Sequence, residues 1–231
     1  MAFIYGTEFD DDLFGFNEDD DIYGYGGEDD IYGYAGDDDI FGGSGDDWVA
    51  AGFGNDWIAA GFGDDVVYGQ GGNDDLYGQA GQDDLYGGSG RDDLYGGSGN
   101  DWLIGGTGSD RLAGGSGADR FIFTRGSSGI QSFSADVIVD WNPAYDFVDM
   151  PIRGTSANYG EAMTDETSIA GAAAEVNFDY PDLGLNHVFL FNSEIDRGFL
   201  LSDLNNDTVF ETGVVLNKRG YASDFSYLDI I

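Results

Sequence analysis

An aspartate recurs at every ninth residue of this chain: Asp11, Asp20, Asp29, Asp38, Asp47, Asp56, Asp65, Asp74, Asp83, Asp92, Asp101, Asp110 and Asp119. A carboxylate is a hard oxygen donor. Carboxylates and backbone carbonyls held on a flexible frame are the ligands calcium prefers. Each of these aspartates is sixth in a nine-residue unit, and thirteen units run without insertion or deletion from Gly6 to Ile122. Gly78-Gln-Ala-Gly-Gln-Asp-Asp-Leu-Tyr86, Gly87-Gly-Ser-Gly-Arg-Asp-Asp-Leu-Tyr95 and Gly96-Gly-Ser-Gly-Asn-Asp-Trp-Leu-Ile104 show the rule. Position 8 is Leu, Ile, Val or Phe in every unit, and positions 1 and 4 are each glycine in eleven. A fixed period of this length marks a repeat architecture.

The period also assigns the elements that must hold the aspartates. Position 8 is the centre of a three-residue stretch, such as Asp84-Leu85-Tyr86, that suits a short strand with one side chain in and two out. The preceding six residues are the turn. Glycine at positions 1 and 4 permits positive φ and lets the backbone curl its carbonyls inward, and the aspartate closes the turn with a further oxygen. A flexible acidic linker would have no reason to keep an apolar residue at every ninth position from Leu13 to Phe121. One inward side chain per nine residues does not offset the entropy of ordering so glycine-rich a segment, so metal binding has to contribute to folding.

On these residues the unit resembles the nonapeptide Gly-Gly-x-Gly-x-Asp-x-apolar-x of the repeats-in-toxin (RTX) calcium-binding β-roll. The resemblance implies that two successive units make one turn of a parallel roll, with calcium between the loops of units i and i+2. Its ligands would be the thirteen aspartates and turn carbonyls such as those of Gly87, Ser89, Gly90, Gly96, Ser98 and Gly99. Thirteen units allow at most eleven such pairs. The pattern departs at Phe9 and Glu18, which replace position-4 glycines in the first two units, and at Ala51 and Ala60, which replace position-1 glycines. The expected fold is all-β dominated: a parallel β-roll of roughly seven turns, about 30 Å long, over residues 1–122. A small α+β C-terminal capping domain over 123–231 follows.

The composition agrees with ligand supply. The 231 residues carry 45 acidic and 8 basic side chains, for a net charge of −37, which repels nucleic acid and anionic membrane. Eleven calcium ions would remove much of that self-repulsion. With no cysteine there is no disulfide framework, and metal can replace that staple. Met1 to Glu8 lacks the basic region and apolar core of a signal peptide. Instead, Phe3-Ile4-Tyr5 falls in phase as the strand of a further unit, Ile4 lying eighteen residues before Ile22. The expectation is a roll with no domain before it.

The positions facing outward are rich in aromatics. Position 9 carries Phe14, Tyr23, Tyr32, Phe41, Tyr68, Tyr77, Tyr86 and Tyr95, and position 7 carries Trp48, Trp57 and Trp102. Stacked on each face, these would form ladders that either reinforce the strands or make a contact surface for other copies, a glycan or a partner. After Ile122 the period stops. Ala135 to Trp141, His187 to Phe191, Gly198 to Ser202 and Phe210 to Leu216 read as strands, and Thr164 to Val176 suits a short helix. This part resembles the C-terminal regions that follow RTX rolls, through Ala118-Asp-Arg-Phe-Ile-Phe123, Asp136-Val-Ile-Val-Asp-Trp141, Arg197 to Asp207 and the closing Ala222 to Ile231. In the family such ends are uncleaved type I secretion signals. The resemblance therefore implies export to the cell surface or beyond without an N-terminal signal peptide.

Other constellations are thin. Asp203, Asn205 and Asp207 echo the start of an EF-hand loop, but Thr208 stands where its glycine belongs and Val214 where its glutamate belongs, leaving a hairpin turn with a possible extra calcium. His187 is the single histidine and begins an apolar strand. No His-Glu-x-x-His, nucleophile elbow or phosphate loop is present. Paired carboxylates of the glycosidase kind are not excluded by residue type, but the repeat already accounts for the acids. These readings favour a secreted, calcium-folded, non-enzymatic structural protein that assembles with itself as a layer, filament or matrix. The alternatives are an adhesin or glycan-binding module and, behind it, a polysaccharide-acting enzyme.

Overall fold

The computed structural model describes residues 1–123, 136–140, 142 and 145–149, and the backbone of strands at 159–163, 187–192, 197–202 and 212–217. The repeats supply fourteen strands: β1 (Phe3–Tyr5), β2 (Asp12–Phe14), β3 (Asp21–Tyr23), β4 (Asp30–Ala35), β5 (Asp39–Ser44), β6 (Trp48–Phe53), β7 (Trp57–Phe62), β8 (Val66–Gly71), β9 (Asp75–Ala80), β10 (Asp84–Gly90), β11 (Asp93–Ser98), β12 (Trp102–Gly108), β13 (Arg111–Ser116) and β14 (Arg120–Ile122). Odd strands form one sheet and even strands the other. All these pairs are parallel, and each residue lies opposite the one eighteen positions on, as in Leu85↔Leu103 and Leu94↔Leu112. Parallel neighbours need a long connection. Here the intervening unit supplies it by crossing to the opposite sheet and back.

Position 8 fills the space between the sheets in single file. Every such side chain from Ile22 to Phe121 is fully buried, and Leu13 nearly so. The strands are longer than the three residues expected. From β4 to β13 the ladder skips position 1 and resumes at positions 2 and 3, as in Gly88↔Gly106 and Ser89↔Thr107. The skip arises because the position-1 N–H stays in the ladder while its carbonyl turns inward. Gly24 N–H donates to Phe41 O at 2.8 Å, whereas the Gly24 carbonyl oxygen lies 2.6 Å from where a Cβ on Gly6 would stand.

Both sheets continue past the repeats. β15 (Asp136–Ile138) adds to β13, and β16 (Phe147–Asp149) adds to β14. The first sheet then runs through β20 (Thr212–Asn217), β19 (Arg197–Ser202), β18 (His187–Asn192) and β17 (Tyr159–Met163). Every element among the described residues after Phe123 is thus a strand. The helix expected at 164–176, the Asp203, Asn205 and Asp207 loop and the closing segment 222–231 lie outside the described residues.

Candidate metal centre

The position-6 carboxylates form two columns, one along each side of the roll. Each from Asp29 to Asp119 accepts, through Oδ1, the backbone N–H of the aspartate eighteen residues earlier. Examples are Asp11 N–H to Asp29 at 2.8 Å, Asp47 N–H to Asp65 at 2.8 Å, and Asp101 N–H to Asp119 at 3.1 Å. These side chains are at most 2% exposed, yet Oδ2 of Asp29, Asp38, Asp47, Asp56, Asp65, Asp74, Asp83, Asp92, Asp101, Asp110 and Asp119 has no hydrogen-bond partner. A buried polar atom left unmatched costs free energy, a charged one most of all.

In the nine of these units whose position 1 is glycine, the orphaned oxygen faces that glycine. A Cβ on Gly87 would stand 2.5 Å from Asp92 Oδ2 and 2.5 Å from the Gly105 carbonyl oxygen, and one on Gly42 would stand 2.5 Å from Asp47 Oδ2 and from the Ala60 carbonyl oxygen. Two oxygens from successive turns therefore share the volume a methyl group would fill. This corrects the expectation that position 1 takes a positive φ. The left-handed residues are at positions 2 and 4, such as Gly88 (113°) and Gly90 (139°). Position 1 is glycine because oxygen occupies the place of its β-carbon.

Among the described residues no three His, Cys, Asp or Glu side chains converge on one point. A cation here would be held by one or two carboxylates and by carbonyls, a hard, all-oxygen set of the kind calcium takes. The family model of the RTX calcium-binding nonapeptide repeat matches four times, at residues 3–31, 14–49, 50–85 and 86–121. The chain belongs to the RTX calcium-binding repeat family. These repeats bind calcium, and proteins that carry them are typically secreted. No curated protein matches the chain. Among solved structures it is similar to the AlgE6R3 subunit of the Azotobacter vinelandii mannuronan C5-epimerase, at 20% identity over 98% of this chain and 80% of that one, with a TM-score of 0.35. It is likewise similar to the AlgE6R2 subunit, at 21% identity over 99% and 91%, also with a TM-score of 0.35.

The RTX turns differ in how ready they are for an ion. In the first two, Asp11 Oδ2 accepts the Thr7 N–H at 2.6 Å and the Thr7 hydroxyl at 2.9 Å, and Asp20 Oδ2 accepts the Phe16 N–H at 2.7 Å. Phe9 and Glu18 lack the left-handed conformation that position 4 has elsewhere, and an N–H points inward to the carboxylate. Of the turn carbonyls expected as ligands, those of Gly87 and Gly96 lie 2.8 Å from where a Cβ on Gly69 and Gly78 would stand, beside Asp74 and Asp83. Those of Gly90 and Gly99 abut the α-carbons of Gly108 and Gly117, and those of Ser89 and Ser98 accept Gly72 and Gly81 N–H in the ladder.

Burial, above all, pushes the carboxyls of Asp38, Asp47, Asp74, Asp83 and Asp110 up to about 6, and those of Asp56, Asp65, Asp92 and Asp101 up to about 7. Neighbouring carboxylates add to the rise, and the accepted backbone N–H opposes it. A bound cation would reverse this balance.

Three features escaped sequence reasoning. Asp136 and Asp146 continue the two columns, accepting Asp110 N–H at 3.0 Å and Asp119 N–H at 3.2 Å. Their spacings of 26 and 27 residues break the period, and the surviving signal is the Asp-x-apolar triplet in Asp136-Val-Ile138 and Asp146-Phe-Val148. Asp140 binds the Gly114 and Gly115 N–H groups at 3.0 and 2.8 Å. Position 5 makes a second ladder in the opposite direction: Asp37 Oδ1 accepts Asn55 N–H at 2.7 Å, and Asn55 Oδ1 accepts Asn73 N–H at 3.0 Å.

The aromatics, expected either to reinforce the strands or to make a contact surface, pack on one another along each face, mostly stacked and, at Trp48 and Trp57, tilted. One face carries Tyr5, Tyr23, Phe41, Trp57, Tyr77 and Tyr95, with successive ring centroids 4.8–5.5 Å apart. The other carries Phe14, Tyr32, Trp48, Tyr68 and Tyr86, at 4.6–5.6 Å. Trp102 has the Arg120 guanidinium over its ring at 5.2 Å.

Proposed function

We propose that this chain is a secreted, non-enzymatic structural module whose roll folds when it meets calcium and whose exposed apolar side chains join copies into a larger assembly. The observation that carries the reading is the set of eleven buried carboxylates, Asp29 to Asp119, each with an unmatched Oδ2, which at Asp29, Asp38, Asp47, Asp74, Asp83 and Asp92 shares its cradle with an inward-turned carbonyl oxygen. Left without a cation, each unmatched group costs about 1–3 kcal/mol. A bound ion supplies positive charge to a site that is otherwise all oxygen. In a calcium-poor cytosol the roll stays open for export, and millimolar calcium outside closes it.

Assembly is favoured over glycan binding by the way the rings are used. A sugar packs on an open aromatic face, but Tyr77, Tyr86 and Tyr95 each stack a face on a ladder neighbour, Trp48 and Trp57 are wedged at a tilt between two rings, and the Arg120 guanidinium lies over Trp102. What stays open is a set of apolar side chains: Phe3, Tyr5, Phe14, Phe16, Tyr25 and Tyr34 near the N-terminal turns, each about half exposed, and the more exposed Phe9, Phe53 and Phe62. The test raises calcium from zero to about ten millimolar on metal-free protein, following mass by light scattering and strand content by circular dichroism. Strand gain with growth into large particles is expected. Strand gain at constant monomer mass overturns the assembly, and no strand gain overturns the calcium-folded roll.

A further inference from the structure

The two units at the middle of the roll break the rule that builds the cradles. β6 reads Trp48-Val-Ala-Ala-Gly-Phe53 and β7 reads Trp57-Ile-Ala-Ala-Gly-Phe62. In each, four consecutive residues are buried, where neighbouring strands alternate. Ala51 and Ala60 stand at position 1, fully buried within the apolar core. In the neighbouring units that place is shared by two oxygens: a Cβ would meet Asp47 Oδ2 at Gly42, Asp74 Oδ2 at Gly69 and Asp92 Oδ2 at Gly87, each at 2.5 Å. Beside Asp56 and Asp65 the methyl group is already there.

We propose that Ala51 and Ala60 interrupt the calcium array, so that their two cradles hold no ion and the roll carries two calcium blocks separated by an apolar waist at residues 48–62. The inference rests on the reading of the cradles as calcium sites. Calcium needs six to eight oxygens at about 2.3–2.6 Å, whereas non-bonded carbon atoms pack best at about 3.5–4.0 Å. A methyl in the cradle therefore displaces an oxygen or water that the shell requires.

The waist compensates by packing. Ala50 lies in register between Tyr32 and Tyr68, and Ala59 between Phe41 and Tyr77. Trp48 and Trp57 reach across from position 7 to fill those gaps, with centroids 5.1 and 5.6 Å from Tyr32 and Tyr68 and 5.0 and 5.5 Å from Phe41 and Tyr77. Both alanines beneath are 5% exposed. The waist thus buries four alanines, Ala50, Ala51, Ala59 and Ala60, that the other units lack.

Native mass spectrometry of the full chain at saturating calcium counts the bound ions, with circular dichroism confirming that each variant is folded. Relative to the parent, Ala51→Gly with Ala60→Gly is expected to gain about two ions, and Gly78→Ala with Gly87→Ala, which places methyls in intact cradles, to lose about two. An unchanged count in the first variant overturns the waist. If that variant does not fold, the second decides, and an unchanged count there overturns the inference. A parent that binds no calcium at all overturns the reading beneath it instead.

Discussion

Acid is expected to fold the metal-free roll. Ten carboxyls are held high in the folded chain: Asp56, Asp65, Asp92 and Asp101 at about 7, and Asp38, Asp47, Asp74, Asp83, Asp110 and Asp146 at about 6. Unfolded, they return to their ordinary value near 3.8. A group whose folded value is raised contributes stability below its unfolded value and loses it as pH rises through the folded one. The window therefore lies between about pH 4 and 7, with stability growing as pH falls. Each proton bound only by the folded state changes stability by about 1.4 kcal/mol per pH unit. Ten groups half titrated near pH 6 give about 7 kcal/mol per unit, and allowing at least a factor of two for solvent screening and relaxation leaves roughly 3. From about pH 7 to 5 the gain approaches 6 kcal/mol, comparable with the whole stability of a typical domain. Circular dichroism in EDTA over that range, kept above the isoelectric point near 4.1, reads it directly. A strand signal that stays flat or falls on acidification would refute the burial of these groups in the metal-free fold.

The columns make a second forecast: Asp83→Asn keeps the acceptor for the Asp65 N–H but removes the charge, and should lose about one or two calcium ions by native mass spectrometry. Asp11→Asn, in a turn that closes on itself, should leave the count unchanged. In the core, Leu94→Ala is expected to cost about 2–4 kcal/mol, read as a higher calcium concentration at the folding midpoint. On the surface, Trp57→Ala removes a ring held between Phe41 and Tyr77 and should cost about 2–3 kcal/mol in urea unfolding with calcium present, while Phe62→Ala, 69% exposed, should stay within about 0.5. Gln79 holds a φ of 81°, so Gln79→Gly should stabilise by up to about 1 kcal/mol in the same assay.

The architecture of the roll was legible because one side chain per unit, from Leu13 to Phe121, has to be inside, and a nine-residue period leaves few ways to put it there. The aspartates were legible for the same reason, since a carboxylate repeated in phase with the core occupies one place on every turn. The first two turns could be set apart at Phe9 and Glu18. How they differ could not, because it depends on which way the Thr7 and Phe16 N–H groups point. The recruitment of Asp136 and Asp146 was hidden as well, because their neighbours Asp110 and Asp119 come from two turns that precede a long break in the period.

By itself, then, the sequence determined the period, the inward residue, the calcium-type ligands and the parallel roll, all of which follow from local spacing. Only the tertiary structure decided which oxygens are left unmatched, why position 1 is glycine, and where position 5 spends its side chain. Each of those depends on a residue eighteen positions away, one turn above or below. The physical reason is that a solenoid settles its hydrogen bonds between turns, so the partner of a given oxygen is set by stacking and cannot be read along a single unit.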